Sequence, residues 1–96
     1  MNIDKKMLDL GFDISQYKGF EYWKEAVSYC KKKNIFKIED IYKHIAKKYN
    51  TSKVAVEIAM RRCALNAREK AMLKYKKNGK MSNKIMLNLL KVKLTE

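Results

Sequence analysis

The sequence predicts an all-α domain, and three observations carry that prediction. Proline is absent and only three glycines interrupt 96 residues, so little in the chain breaks a helix. Apolar side chains recur at three- and four-residue steps, as in Ile38, Ile41, Tyr42, Ile45 and Tyr49, which is the period of one helical face. Apolar residues make up 47% of the chain against 34% charged, a globular balance that suits a single domain over residues 1–96 with a modest core. The expected architecture is a compact bundle of five to six helices.

From the N terminus, Asp4 to Leu10 reads as a short helix with Met7, Leu8 and Leu10 turned inward, and Gly11 stands where a C-terminal stop belongs. Phe12, Ile14 and Tyr17 follow in an irregular link. Phe20, Trp23, Val27 and Cys30 then mark a helix of about four turns, ending in Lys31-Lys32-Lys33-Asn34. Those lysines suit the negative end of a helix dipole, and a phosphate contact is the equal alternative. The seven-residue spacings Phe20–Val27 and Trp23–Cys30 read as core packing rather than as a dimer seam. Ile35 to Lys37 is a short link. Glu39 and Asp40 occupy the first turn of the next helix, where negative charge suits the dipole. His44 lies off the apolar stripe with no Cys or acid cluster beside it in sequence, so it reads as solvated.

The centre of the chain is a helix-turn-helix over about 38–74. The helix ending near Tyr49 is interrupted by Asn50-Thr51-Ser52, in which Thr51 or Ser52 is a natural N-cap. From Lys53 onward Val56, Ala59, Met60, Cys63 and Ala67 form a second inward stripe, while Glu57, Ile58, Arg61 and Arg62 point away from it. A helix, a tight turn and a second helix with a basic outer face is the arrangement that lays a recognition helix in the major groove. No breaker follows until Asn78-Gly79, so the second helix is expected to run well past the DNA. Its outer row continues through Val54, Ile58, Leu65 and Met72; thymine methyl groups would cover the first two and another helix the rest. Tyr75 to Lys80 reads as a basic loop in preference to a wing. Ser82 caps a last helix with two apolar stripes, Ile85, Leu89 and Val92 on one side and Leu87, Leu90 and Leu94 on the other. The second is the expected protomer contact of a homodimer.

The formal charge is +13, and it is uneven. Residues 1–50 hold 11 basic and 7 acidic side chains, whereas residues 51–96 hold 12 and 3, so most of the excess lies on and after the second helix of the motif. Such a field attracts polyanions, and double-stranded DNA is the first candidate partner. The expected base contacts are Lys53, Val54, Glu57, Ile58 and Arg61. The expected phosphate contacts are Lys47, Lys48, Thr51, Ser52, Arg62, Arg68, Lys76 and Lys77. Glu57 accepts from a cytosine amino group or pairs with Arg61 four residues on, and the two readings stand level. With no histidine–acid pair, metal-spaced ligands or phosphate-binding glycine loop, the chain is not expected to be an enzyme, and no metal or cofactor is expected. Cys30 and Cys63 fall on core stripes and read as buried thiols. No apolar run suits a membrane span or a leader peptide, so a cytoplasmic, nucleoid-associated protein is expected. The rival readings are a plasmid or mobile-element accessory factor with a winged helix, an RNA-binding basic helical protein, and an adaptor for an acidic protein.

Two segments, KGFEYWKEAV and IAKKYNTSKVAVEIAMRR, resemble the C-terminal DNA-binding effector domain of the sporulation transcription factor stage 0 sporulation protein A. In that family a Lys-Gly-aromatic segment opens an early helix, and an IAKK-aromatic-NT turn leads into a recognition helix with Val-Glu and a downstream Arg. The resemblance spans roughly Leu8 to Leu94 and does not reach a receiver domain. It implies an all-helical, wingless fold and a dimer on short TGTCGAA-like boxes. It also implies that the Glu matching Glu57 and the next Arg contact bases, and that the Arg matching Arg61 binds the backbone. Here Ile58 stands in place of that next Arg, so a more thymine-rich site is predicted.

Overall fold

In the computed structural model, residues 3–32, 37–75 and 82–95 are described. Six helices run through them: α1 Ile3–Leu10, α2 Tyr17–Lys32, α3 Ile38–Lys48, α4 Lys53–Cys63, α5 Leu65–Tyr75 and α6 Asn83–Thr95. No strand occurs among the described residues. The end of the triple-lysine run, most of the Ile35–Lys37 link, Lys76, Lys77 and the Asn78-Gly79 turn lie outside them.

The short α1 ends as its glycine demands. Gly11 has φ +102°, its N–H donates to the Leu8 carbonyl at 3.0 Å and the Phe12 N–H donates to the Met7 carbonyl at 3.0 Å. This paired closure turns the chain sharply at a left-handed residue. Phe12 thereby enters the core and packs edge-on against Trp23, with ring centroids 5.1 Å apart. Met7 is fully buried, but Leu8 is exposed, contrary to the inward role expected of it. The buried side of α1 is the row Ile3, Met7 and Leu10, and Leu8 lies about 100° round the helix from Met7.

Helix α2 is the central support. Its inner side carries Gly19, Phe20, Tyr22, Trp23, Ala26, Val27 and Cys30, all buried, so the seven-residue spacings belong to the core. Tyr17 begins this helix rather than the link before it. At Gly19 the α4 backbone comes so near that an added Cβ would sit 2.2 Å from the Ala59 carbonyl oxygen and 2.8 Å from the Cys63 Cβ. One turn along, the buried Trp23 indole N–H donates to the Met60 carbonyl at 2.8 Å.

Between α3 and α4 the chain turns within four residues. Asn50 takes the left-handed conformation, φ 53°, which Asn tolerates better than most residues, and the Thr51 N–H donates back to the Ala46 carbonyl at 2.9 Å. Ser52 then caps α4, its side-chain oxygen accepting from the Ala55 N–H at 3.1 Å. Ile41, Tyr42 and Ile45 from α3 face inward with Val56, Met60 and Cys63 from α4, but Tyr49, expected on the same stripe, falls past the end of α3 and is exposed, edge-on to the Tyr22 ring.

The second helix of the motif does not run on to Asn78-Gly79. It stops at Cys63, and α5 starts afresh at Leu65. The cause lies outside the segment: the Cys63 carbonyl accepts from the Asp13 N–H at 3.0 Å. In an unbroken helix that oxygen would take the N–H four residues on. Ala64, Ala67 and Ala71 let α5 lie close on the core, while Leu65 is left exposed and Met72 packs at the core's edge.

At the C terminus the Ser82 hydroxyl accepts from the Ile85 N–H at 3.3 Å. The inward face of α6 is Met86, Leu87 and Leu90, each at most 3% exposed. Leu87 and Leu90 are therefore core residues and not the protomer contact expected of them, and the Leu94 side chain lies outside what is described. The outward residue is Val92. Ile85 and Leu89 of the other stripe are half-buried and pack at the edge of the same core, because α6 docks against α2 and α1 and the lie of those helices decides how far each apolar face is covered.

Two substitutions test this packing by urea unfolding. Gly19→Ala is expected to destabilise the domain by about 3 kcal/mol, since the intruding methyl meets backbone that cannot yield cheaply. Leu87→Ala is expected to cost about 2–5 kcal/mol through a core cavity, with an unfolding midpoint independent of protein concentration.

Candidate nucleic-acid interface

The face of α4 opposite the core is built by helical period. Val56, Met60 and Cys63 are buried, so Val54, Ile58 and Arg61 fall on the far side, with Glu57 and Arg62 on its two flanks. Lys53, Val54, Arg61 and Arg62 are exposed, and Glu57 and Ile58 are half-buried at the edges. The base-contact residues expected from sequence thus share one accessible surface.

Each flank has its own neighbours. On one side Lys53, Val54 and Glu57 border a shallow recess with Glu39 and Tyr42 of α3. On the other, Ala55, Ile58, Ala59 and Arg62 form a cleft with residues 15–19 at the start of α2. Tyr17 and Lys18, exposed on that rim, were not singled out from the sequence as contacts. Their signal was the KGFEYW segment, whose glycine allows α2 to come close enough for Lys18 and Arg62 to line the same cleft.

Ion pairs on this surface are short-range and exposed. Arg61 Nη1 lies 3.4 Å from Glu57 Oε1, and Lys53 Nζ lies 3.5 Å from Glu39 Oε2. Pairs of this kind contribute roughly 0–1 kcal/mol, so a phosphate can displace the acid from either cation at small cost. The free protein therefore holds Glu57 in its intrahelical pairing.

Lys47 and Lys48, in the last turn of α3, are both exposed, but they differ in setting. Lys48 Nζ lies 2.6 Å from Glu25 Oε1. His44 Nε2 lies 2.8 Å from Glu25 Oε2, and its ring stands 5.1 Å from that of Tyr29. His44 thus keeps 40% of its side chain exposed, as a partly solvated group, but is also a partner of Glu25, which was not expected. The two are 19 residues apart, so sequence proximity gave no sign of the pair. Burial pushes the Glu25 carboxyl up, and the bonds from Lys48 and His44 outweigh it, leaving the group below the ordinary carboxylate range.

The remaining expected phosphate contacts are spread around α4. Ser52 and Thr51 are exposed at its N-terminal end, where unpaired backbone N–H groups favour an anion. Arg68, half-buried on α5, lines a recess with Glu57, Arg61, Asn83 and Lys84. Asn83 holds that recess together, its side-chain N–H group donating to the Tyr42 hydroxyl at 3.0 Å and to the Glu57 carbonyl at 3.4 Å. The start of α6 is thereby tied to both helices of the motif, a role that nothing in the local pattern at Ser82-Asn83 announced.

Neither thiol offers reactive chemistry. Both cysteines are unpaired and buried, and burial pushes Cys30 up and Cys63 up to about 11. Among the described residues no group of three or more His, Cys, Asp or Glu side chains is placed to hold a metal ion. No described helix is long and apolar enough to cross a membrane.

Residues 3–93 match the family described as Sporulation initiation factor Spo0A C terminal. The chain belongs to this family. The match covers both halves of the motif, all six helices up to the last turn of α6, and the Gly19 and Trp23 supports behind them. The family is one of DNA-binding domains of transcription regulators rather than of enzymes. No curated protein and no solved structure matches the chain.

Glu25→Gln gives a pH test of the α2–α3 tie. Because the folded carboxyl titrates below its unfolded value, its contribution is complete above the ordinary carboxylate range and is lost as pH falls through the folded value. Near pH 7 the variant is expected to be less stable by about 1 kcal/mol. In urea unfolding curves taken at falling pH, that difference should shrink and vanish once the native carboxyl is protonated.

Proposed function

We propose that the chain binds double-stranded DNA sequence-specifically, with α4 in the major groove, and acts as a transcriptional regulator. The observation that carries this is the accessible outer face of α4, Lys53 to Arg62, presented by a capped N terminus and backed by a buried inner face of Val56, Met60 and Cys63. Family membership supports the general class. Binding draws most of its free energy from phosphates: Lys47, Lys48, Thr51, Ser52, Arg62 and Arg68 surround the helix, and Lys18 adds a donor from α2. Lys76 and Lys77 belong to the same proposed set, although they lie outside the described residues.

Sequence is read by Lys53, Val54, Glu57, Ile58 and Arg61. On approach, Arg61 leaves Glu57 for a phosphate or a guanine, and the released carboxylate accepts from a cytosine amino group. Val54 and Ile58 offer apolar contacts to thymine methyl groups, which favours a site richer in thymine than the boxes of the resembled family. Two protomers on one duplex would place their α4 helices in successive major-groove turns. With Leu87 and Leu90 inside the core, any contact between them falls on other residues.

Selection of duplexes from a random library gives the site, and fluorescence anisotropy on that site gives the energetics. With about five to seven phosphate contacts per protomer, log K is expected to fall against log salt with a slope of roughly −5 to −6; a flat response would sink the proposal. Glu57→Ala should relax preference at one base pair by about 1–3 kcal/mol, whereas Arg62→Ala should weaken all sequences alike.

A further inference from the structure

On the side of the domain formed by α1, α5 and α6 there is a recess of about 170 Å³. Among the described residues, none of the side chains assigned above to DNA lines it. Its floor is apolar: Leu10 ends α1, Phe12 follows the Gly11 turn, and Met86, Leu89 and Leu90 come from α6. The wall opposite is Ala67 and Ala71 of α5, one turn apart. The space exists because those two residues are small where larger side chains would fill the gap. A cavity of about 150 Å³ with apolar walls accommodates a benzene ring, so this recess has room for one ring or a short branched chain.

The mouth is charged and one-sided. Among the described residues, Lys70 and Lys74 from α5 and Lys93 from α6 border it, against one carboxylate, that of Asp9. Beside an apolar wall, where water is partly excluded, such charges act more strongly on a bound group than they would in open solvent. An anion with an apolar body is matched at both ends, a neutral analogue at one end, and a cation at one end only with repulsion at the other. A protein partner is a poorer fit, since a stable interface needs about 800 Å² per side and this feature is the size of one side chain.

We propose that the recess is a binding site for a small amphipathic carboxylate, its ring or short alkyl body between Ala67/Ala71 and Met86/Leu90 and its carboxylate at Lys70 and Lys74. This goes beyond DNA binding and does not depend on it. The recess also touches the support of α4, because Phe12 on its floor packs against Trp23, which holds the Met60 carbonyl.

The test is an NMR titration of the intact chain with 4-ethylbenzoate, 4-ethylbenzyl alcohol and 4-ethylbenzylamine. Saturable shifts are expected at amides of residues 67–74 and 86–93, with the carboxylate binding about tenfold tighter than the alcohol and the amine weakest. Ala71→Leu, which fills the recess, should abolish binding of all three. The double variant Lys70→Gln, Lys74→Gln should bring the carboxylate to the level of the alcohol and leave the alcohol unchanged, a readout that does not depend on tolerance of the larger side chain at position 71. Shifts that fail to saturate, that scatter over the lysine-rich surface, that are equal for all three probes, or that arise on concentrating the protein alone because a second copy covers the recess, would each overturn the proposal.

Discussion

The presentation of α4 depends on its contact with α2. At Gly19 the two backbones approach until only a hydrogen fits between them and the Ala59 carbonyl, and one turn later the Trp23 indole is bonded to the Met60 carbonyl. The Met60 oxygen already accepts from the Ala64 N–H at 3.1 Å, so the indole bond adds a second donor at the end of α4, where helix carbonyls otherwise lack partners. The Asp13 N–H supplies the Cys63 carbonyl with a donor in place of the helical one. Together these contacts fix where α4 stops and which face it turns outward. A helix held on its inner face by backbone contacts cannot rotate to bury its charged side, and the outer face stays available for a ligand.

Electrostatics then act on a surface that packing has already set. The pairs Arg61–Glu57 and Lys53–Glu39 lie at the surface with N–O separations of 3.4 and 3.5 Å, so they order side chains without committing them. Lys48–Glu25 is different, because its acid is largely covered and also bonded to His44. That cluster joins α2 to α3, so both helices behind α4 are tied to one another as well as to it.

How much of this was legible in the sequence follows from what local pattern can carry. The stripe Ile41, Tyr42, Ile45 and its counterpart Val56, Met60, Cys63 were plain, since each is set by the helical period alone. So were Gly11 as a stop and Ser52 and Ser82 as caps, because their chemistry acts within three or four residues. What escaped depended on contacts distant in sequence: the break at Ala64 is made by Asp13, the setting of His44 by Glu25, and the burial of Leu87 and Leu90 by the lie of α6 on α2 and α1. An apolar stripe announces that it will be covered without naming the cover. On α6, with two such stripes, the pattern left the choice to packing. In the interface, exposure of Val54 and Arg61 was legible from the stripe opposite them, while the cleft that Lys18 and Arg62 share required the α2–α4 crossing that Gly19 permits.

The most direct measurement of the central claim is paramagnetic broadening of the protein's amide signals by a selected duplex carrying a nitroxide on the C5 position of a thymine, which projects into the major groove. The account predicts that residues 53–62 broaden first and most strongly, with the start of α2 next and the Lys70–Lys74 side of α5 little affected. Broadening centred on α2, α5 or α6, with the amides of α4 unaffected, would contradict it.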